Sequence, residues 1–477
     1  MLFTSIEFLF LFFPLTVSGY FLLPSRARNH WLLIMSLFFY AWGEPKFLLA
    51  MLFSIVFNYL MALHIEELDR ERDRLYRRLL LTLTVAVNLG ILFVFKYLNF
   101  VTATIRGLFP WAESRLPQTE FVLPIGISFF TFQALSYVID VYRGVPAQKR
   151  LRDLGLYISL FPQLIAGPIV RYTTIADQLD YRQVTAEGFS QGVLRFLVGF
   201  NKKVLLANTM AEAADKAFGA SSLSVGMAWL GAICYTLQIY FDFGGYSDMA
   251  IGLGRMFGFQ FLENFNYPYI SKTVTEFWRR WHISLGSWFR DYVYFPLGGS
   301  RVKSRGRLVV NLFVVWLATG VWHGANWTFI LWGVLYGVII TVEKLLALPD
   351  RLPRHRAAAA VYQALTMVAV VCGWVLFRGE DLPAAVTYLK TMFGLGGAAL
   401  TDVMFRFNLR EYGVMLTAGL VGSTPLLRTL QAGLAARSAR AAAIGGAAFR
   451  GAQVVLFVIG VSCLVMNAYN PFIYFNF

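Results

Sequence analysis

Charged residues are scarce in this chain. Asp, Glu, Lys and Arg together make up 14% of the 477 residues, whereas 57% are hydrophobic. A soluble domain carries about 25% charged and roughly 45–50% apolar residues. This balance excludes an ordinary water-soluble fold and predicts a chain that lies largely in lipid.

Cysteine is rare and the common hydrolytic motifs are missing. Cys234, Cys372 and Cys463 lie far apart in apolar stretches, which predicts neither a disulfide framework nor a metal site. The sequence contains no Walker phosphate-binding loop, no GxSxG nucleophile elbow and no HExxH zinc motif. A serine hydrolase or a zinc protease would therefore lack its reactive residues.

Apolar stretches of about 20 residues, the length that crosses a bilayer, recur along the chain. Examples are 79–100, 227–252, 327–346 and 454–469. With the shorter candidates, they predict about eleven transmembrane segments in a single membrane-embedded domain, 1–477. The first apolar stretch has no basic region before it and no small-residue cleavage site after it, so we expect it to remain as a helix.

The formal net charge of +15 raises the question of nucleic acid binding. The Lys and Arg residues are dispersed through short loops between apolar stretches, as the positive-inside rule predicts for a membrane protein, so we expect no nucleic acid partner. The same rule places 66–78 and 301–307 in the cytosol and 110–120 outside. Some of these bases can also attract anionic lipid headgroups.

Three stretches depart from regular spans. Residues 154–170 contain Pro and Gly that interrupt helical hydrogen bonds, which predicts a re-entrant segment covered by protein or lining a wet cavity. Residues 257–307 mix aromatic and basic side chains, which predicts cytosol-facing interfacial helices. Residues 308–346 form a long apolar run that breaks at GVWHGANW, 320–327.

The last of these breaks places His323 at membrane depth. An ionisable residue there is costly and is a functional candidate by default. Burial favours neutral imidazole, the form that a general base needs. Trp322 and Asn326 can shape a pocket beside it or donate hydrogen bonds. The alternative is a structural histidine bonded to a backbone carbonyl, with the neighbouring glycines serving helix packing.

A second histidine, His282, lies in the aromatic and basic sequence EFWRRWHISL. Nearby bases can hold the phosphates of a cytosolic coenzyme or, equally well, contact lipid headgroups. These bases are Lys272, Arg279, Arg280 and Arg290. Asp242 is an acidic residue in the otherwise apolar YFDFGG sequence, where it can orient a histidine or form a structural pair.

Motifs spread in order over nearly the entire chain resemble the membrane-bound O-acyltransferase family. They are PIGISFFTFQALSYVIDVYRG (124–144), LFPQLIAGPIVR (160–171), YFDFGGYSDMAIGLG (240–254), ENFNYPYISKTVTEFWRRWHISLGSWFRDYVYFPLGG (263–299), GVWHGANWTFILWG (320–333) and the terminal NPFIYFNF. The similarity is greatest to the branch that acetylates bacterial polysaccharides such as alginate, cellulose or peptidoglycan. Gly244 and Gly286 depart from that branch, whose pattern has serine at both positions.

This resemblance implies an all-α polytopic bundle around a tunnel. It implies transfer of an acetyl group from acetyl-CoA or a similar cytosolic thioester across the bacterial inner membrane, without a bound cofactor or metal. By motif, His323 matches the family's catalytic histidine and His282 its second characteristic polar position. The implied partners are a periplasmic esterase-like acetyltransferase, the exopolysaccharide machinery and membrane lipids.

Two other functions stay open at the level of sequence. A D-alanyl transferase that uses a carrier protein would share the family but differ in its donor. A lipid or glycan transporter would explain the spans, the re-entrant segment and the buried histidine without acyl-transfer chemistry. Acyl transfer by pure protein separates the transporter from the enzymes, and a genomic neighbour encoding an esterase-like partner or a small acyl carrier separates the two enzymes.

Overall fold

The computed structural model describes residues 1–117, 120–351, 356–466 and 469–473. Within those ranges the chain is helices and connecting loops, without strands, so the predicted all-α class is confirmed. Contacts divide the chain into two compact units. The first is Met1–Gly192 with Ala250–Leu262, and the second is the remainder of the described chain.

The first unit begins with short and medium helices. They are α1 (Phe13–Leu22), α2 (Ser25–Gly43), α3 (Leu48–Glu67), α4 (Arg74–Leu92), α5 (Leu98–Leu108), α6 (Pro110–Arg115), α7 (Ile127–Arg143), α8 (Leu151–Ser159), α9 (Phe161–Leu164) and α10 (Tyr172–Asp180). π-Helical turns at Phe8–Phe12 and Phe93–Tyr97 and a 3₁₀ turn at Pro45–Phe47 connect some of them.

The chain continues with helices of 4 to 32 residues. They are α11 (Ala186–Asn201), α12 (Asn208–Phe218), α13 (Val225–Met256), α14 (Val274–Arg280), α15 (Ile283–Phe289), α16 (Arg305–His323), α17 (Trp327–Leu345), α18 (Leu348–Arg351), α19 (Arg356–Arg378), α20 (Leu382–Met392), α21 (Val403–Gly422), α22 (Leu426–Arg437) and α23 (Ala439–Met466). π-Helical turns lie at Lys202–Ala207 and Arg290–Tyr294, and a 3₁₀ turn at Pro268–Ile270. The boundary between the units falls within α11 and α13.

Six helical stretches of the described chain are long and apolar enough to cross a membrane. They are Pro45–Glu67, Arg74–Leu108, Arg305–His323, Trp327–Leu345, Arg356–Arg378 and Ala439–Met466. The chain is therefore a multi-pass membrane protein. These six stretches are the ones in the described chain that are long and apolar enough, and the total of about eleven spans stays a prediction.

The break expected within 154–170 is present in the first unit. α8 ends at Ser159, α9 spans only Phe161–Leu164, and α10 begins at Tyr172. Every side chain from 154 to 170 is buried in protein. Since lipid cannot satisfy an interrupted backbone, this burial supplies the protein cover that the sequence demands.

Aromatic side chains form much of the core of the second unit. Trp332 of α17 packs against Trp278 of α14 and Phe377 of α19, with ring centroids 5.2 and 5.1 Å apart. Trp281 and Trp374 lie 4.8 Å apart in the same cluster. Large rings in tilted and edge-to-face contact lose little side-chain freedom, so they hold α14, α17 and α19 in fixed relation.

Candidate active site

The helical hairpin of α16 and α17 positions His323. This histidine is the last residue of α16, and α17 starts after the break at 324–326. A Cβ on Gly320 would lie 2.5 Å from the carbonyl oxygen of Phe329, and a Cβ on Gly333 would lie 2.5 Å from that of Trp316. Only glycine fits such close approach, so these two residues serve helix packing.

Aromatic rings surround His323. Its imidazole contacts Trp322 and Trp332, with both ring centroids 5.0 Å away, and Phe377 at 5.3 Å. The residue is 5% exposed. The side chain is therefore buried where α16, α17 and α19 meet, so the predicted burial of His323 is confirmed, and its depth in the membrane stays a prediction.

His282 lies outside the span-length helices, immediately before α15. Its backbone has a φ of 45°, a left-handed conformation that non-glycine residues adopt only when their surroundings enforce it. The side chain is 2% exposed, and its Nδ1 atom lies 3.2 Å from Oδ1 of Asn264. Burial lowers the pKa of His282 to about 3 because it removes solvation from the imidazolium, so this imidazole is neutral at pH 7.

One indole ring connects the two histidines. The Trp322 ring centroid is 6.0 Å from that of His282 and 5.0 Å from that of His323. Phe243 of α13 contacts His282 with a centroid distance of 4.6 Å. The two histidines come from separate motifs, yet they belong to a single buried aromatic cluster.

A cavity of about 470 Å³ reaches this cluster at His282. We call it the His282 cavity. Its wall comes from α14, α15, α16 and α17 and includes Trp278, Arg279, His282, Gly286, Arg290 and Trp316. Arg279 and Arg290 are exposed, so their guanidinium groups lie at the rim of a mainly apolar cavity.

A second cavity, of about 690 Å³, reaches the cluster near His323. We call it the Arg378 cavity. Arg378 forms an ion pair with Asp215 and lies over the Tyr235 ring, 5.1 Å from its centroid. Phe377, which contacts His323, also lines this cavity. The Phe377 ring therefore contacts both the Arg378 cavity and His323.

The two cavities lie at different levels of the hairpin. The Arg378 cavity includes Asn326 and Phe329, from the end of the hairpin that carries His323. The His282 cavity includes Val315 and Ile340, from the body of α16 and α17. His282 lines its cavity directly, whereas His323 contacts the Arg378 cavity only through the Phe377 ring.

Known proteins share these motifs over the whole chain. Residues 151–378 match the membrane-bound O-acyltransferase family. The chain is 41% identical to the probable alginate O-acetylase AlgI of Azotobacter vinelandii over 100% of both proteins, and 45% identical to that of Pseudomonas aeruginosa over 88% of this chain and 80% of the relative. It is 37% identical to the peptidoglycan O-acetyltransferase of Helicobacter pylori over 84% of this chain and 81% of the relative.

The chain belongs to the membrane-bound O-acyltransferase family. The family that the motifs predicted is therefore confirmed, and with it the enzyme class. These relatives are named as acetylases or acetyltransferases, and none of them is named as a transporter, the alternative that the sequence left open.

The bases predicted to bind the donor of this O-acyltransferase separate into two groups. Arg279 and Arg290 line the His282 cavity. Arg280 instead pairs with Glu276, one turn earlier in α14, at 2.9 Å, and Lys272 is exposed but is not part of the cavity wall. Arg290 also pairs with the adjacent Asp291 at 2.8 Å, whereas Arg279 forms no ion pair within the described part of the chain.

Asn326 and Trp322 flank His323 in different ways. Oδ1 of Asn326 accepts a hydrogen bond from the backbone N–H of Thr328 at 3.1 Å, which caps the start of α17. Its amide nitrogen donates to the carbonyl oxygen of Glu380 at 2.8 Å. Asn326 therefore supports the hairpin and the Arg378 cavity, while Trp322 connects the histidines.

Asp242 lies in a structural pair rather than at a histidine. Its carboxylate is 2.8 Å from Nζ of Lys203, and both side chains are almost fully buried. The backbone N–H of Ile473 donates to the same carboxylate at 2.8 Å. This geometry favours the alternative of structural pairing for Asp242.

Two residues that shape the site, Asn264 and Glu343, are not predicted by the sequence patterns. Glu343 is fully buried in α17 and accepts hydrogen bonds from the backbone N–H groups of Val274 and Thr275, both at 2.7 Å, and from the Tyr362 hydroxyl at 3.0 Å. It therefore fixes the start of α14, which supplies part of the His282 cavity. An acidic residue inside an apolar span was the available signal for Glu343. Asn264, in a polar loop, offered none.

Proposed function

We propose that this chain moves an acetyl group from a cytosolic acyl thioester, such as acetyl-CoA, across the bacterial inner membrane for O-acetylation of an exported polysaccharide. The single observation that carries this function is the aromatic cluster of His282 and His323, which two cavities reach at different levels. Relatives named for alginate and peptidoglycan O-acetylation support the acetyl group and a polymeric final acceptor. Full-length identity to such a relative favours acetyl over D-alanyl transfer.

The His282 cavity is the proposed donor site. Guanidinium groups bind phosphates through charge-assisted, bidentate hydrogen bonds, and Arg279 and Arg290 stand at its rim. Its mixed aliphatic and aromatic lining suits the apolar acyl end of the donor. The thioester is a substrate that binds and leaves, so the reaction needs no resident cofactor.

His323 is the proposed general base. An acceptor hydroxyl attacks the thioester carbonyl carbon, a C–O bond forms and the C–S bond breaks. His323 takes the hydroxyl proton as the bond forms and returns it to the thiolate that leaves, so charge and protons balance. His282 stays neutral and accepts a hydrogen bond from a reacting or carrier group.

The Arg378 cavity is the proposed entrance for the acceptor. It lies at the His323 end of the hairpin, opposite the basic residues at the start of α16 that we expect in the cytosol. A periplasmic esterase-like partner would take the acetyl group here and pass it to the exopolysaccharide machinery. We also propose that a tunnel passes Trp322 between the two sides of the membrane. The proposed topology keeps about eleven spans and a re-entrant segment at 154–170.

Loss of this chain is expected to remove O-acetyl groups from one exported polymer. Mass spectrometry of exopolysaccharide and peptidoglycan from cells with and without the chain measures this loss and names the polymer. Complementation with the unaltered chain should restore the acetyl groups, whereas complementation with His323→Gln should not. Unchanged acetylation of every exported polymer would contradict the proposed function.

Membrane orientation gives a prediction of its own. In a background with Cys234, Cys372 and Cys463 replaced, Glu113→Cys should react with an impermeant thiol reagent on intact spheroplasts, because 110–120 is expected outside. Arg72→Cys and Lys303→Cys should react only after permeabilisation. If Lys303→Cys is labelled from outside, the orientation is reversed, and the proposal that a cytosolic donor enters the His282 cavity is wrong.

The exposed arginines at the rim of the His282 cavity give a prediction about the KM for acetyl-CoA. Arg279→Ala should raise the KM for acetyl-CoA roughly fivefold, the effect of about 1 kcal/mol at an exposed ion pair, and leave kcat nearly unchanged. The reason is that a phosphate contact is the same in the ground state and the transition state. Arg280→Ala is the matched control, since Arg280 is paired with Glu276 away from the cavity wall. Equal KM values for acetyl-CoA in the two variants would show that Arg279 does not contribute to donor binding.

A further inference from the structure

Asn264 is the centre of a buried hydrogen-bond network beside His282. It is fully buried, and its Oδ1 accepts hydrogen bonds from the backbone N–H of Ser284 at 3.2 Å and from the Ser284 hydroxyl at 2.9 Å. The same oxygen lies 3.2 Å from Nδ1 of His282. On its other side, Nδ2 of Asn264 donates to the Ser247 hydroxyl at 3.0 Å.

This network determines which nitrogen of His282 carries the proton. A backbone N–H can only donate, so the Asn264 atom facing Ser284 is the amide oxygen rather than the nitrogen. An amide oxygen can only accept, so Nδ1 of His282 must be protonated to bond to it. The Ser284 hydroxyl lies 3.4 Å from the same Nδ1 but donates to Asn264 at the shorter distance of 2.9 Å, which leaves Nδ1 as a donor. In a neutral imidazole Nε2 then carries the lone pair.

That lone pair has no partner in the described part of the protein. Nε2 of His282 is buried without a hydrogen bond, and the residue lines the His282 cavity. A buried acceptor without a partner costs free energy, so a hydrogen-bond donor that enters the cavity beside it would be stabilised there. The neighbouring ring of Trp322 leads from His282 to His323.

We infer that Asn264 is a positioning residue that locks His282 in the tautomer with the proton on Nδ1, so that Nε2 accepts a hydrogen bond from a donor group of the ligand in the His282 cavity. The group that donates this hydrogen bond is either an amide N–H of a coenzyme arm or the hydroxyl of the molecule that receives the acyl group. The identity of that ligand rests on the proposed function. The tautomer itself does not, because it follows from the hydrogen bonds of Asn264.

The pH profile of Asn264→Asp tests the contact with the ligand. An aspartate still accepts from Ser284, and the Ser247 hydroxyl can rotate to donate to it, so the network stays satisfied. The groups in contact with the imidazole are Phe243, Trp322, Asn264 and Ser284, none of which is charged. The charged groups that line the same cavity are Arg279 and Arg290, and both are exposed at its rim. The new carboxylate therefore raises the pKa of His282 from its native value of about 3.

The expected result is a new acidic limb in the dependence of kcat/KM on pH. Below the raised pKa both ring nitrogens carry protons, Nε2 can no longer accept, and activity falls as pH falls. The native enzyme has no such limb from His282, because its imidazole is already neutral throughout this range. Ser284→Ala is the matched control, since it keeps the backbone N–H and adds no charge, and its profile should follow the native one.

The kinetic constants of Asn264→Asp identify the donor group. At low pH, an increase in the KM for acetyl-CoA with kcat unchanged would assign the hydrogen bond to the coenzyme arm. A decrease in kcat with that KM unchanged would assign it to the acceptor hydroxyl. A folded Asn264→Asp enzyme with the native pH profile would overturn the contact between Nε2 and the ligand.

Nitrogen NMR of ¹⁵N-histidine-labelled protein tests the tautomer without any activity measurement. The difference between spectra of the native chain and His282→Gln isolates the His282 signals. We expect a protonated Nδ1 and an unprotonated Nε2. A proton on Nε2 would overturn the lock whatever reaction the enzyme performs, whereas failure of acetyl transfer would overturn the proposed function and leave this measurement valid.

Discussion

Replacement of His323 by glutamine is expected to lower acetyl transfer by about 10²–10⁴-fold, the usual contribution of a general base. Glutamine is similar in size and can pack among Trp322, Trp332 and Phe377, but its amide cannot take a proton from a hydroxyl. The fold and donor binding should therefore survive. Turnover of purified variant with acetyl-CoA and an acceptor measures the effect, and binding of labelled acetyl-CoA measures what is retained.

His282→Gln provides the internal comparison for this experiment. A glutamine carbonyl can replace the lone pair of a neutral imidazole, so we expect a smaller loss than at His323. If His323 were only a packing residue, its replacement would instead reduce expression and leave the specific activity of the folded fraction intact. Transfer near the native rate by well-folded His323→Gln would rule out the general base.

Removal of one partner from the buried pair of Lys203 and Asp242 should have the largest effect on stability. Asp242→Ala leaves the Lys203 ammonium in protein without its counter-ion and takes the acceptor from the backbone N–H of Ile473. Breaking a buried ion pair in this way costs about 3–5 kcal/mol. The apparent melting temperature in detergent, followed by the loss of monodisperse protein on heating, should fall clearly.

A double replacement separates the charge effect from the loss of packing. In Lys203→Met with Asp242→Leu, both charges are gone and apolar volume fills the space, an exchange that is often neutral in protein interiors. This variant should recover the part of the lost melting temperature that comes from the unpaired Lys203 charge, while the backbone N–H of Ile473 stays without its acceptor. If Asp242→Ala melts like the native protein, the pair does not stabilise the fold, and Asp242 returns to the candidates for a role in the reaction.

Local chemistry made several features predictable. The break before α17 was visible because Gly324 and Asn326 interrupt an apolar run, and the structure places it at 324–326. The broken segment 154–170 was visible because Pro and Gly cannot continue a helix in lipid. His323 became a candidate because an ionisable group at membrane depth is costly, and the structure shows that its side chain is buried.

The partners of individual polar groups were not predictable in the same way. Arg279 and Arg280 are neighbours with the same chemistry, but successive helix residues point about 100° apart, so one lines the cavity and the other meets Glu276. Asn264 had no distinguishing neighbour in the sequence. Its role depends on contacts with Ser247 and Ser284, which different elements supply.

By itself, the sequence determined the helical class, the membrane location, the family and the positions of the helix breaks, because these depend on composition, apolar length and residues close together in the chain. Only the tertiary structure decided that Trp322 joins His282 to His323, that Arg279 rather than Arg280 faces the His282 cavity, and that Asp242 pairs with Lys203. Such contacts depend on how helices distant in sequence pack against each other, and hydrophobic periodicity specifies the buried face of a helix without specifying its partner.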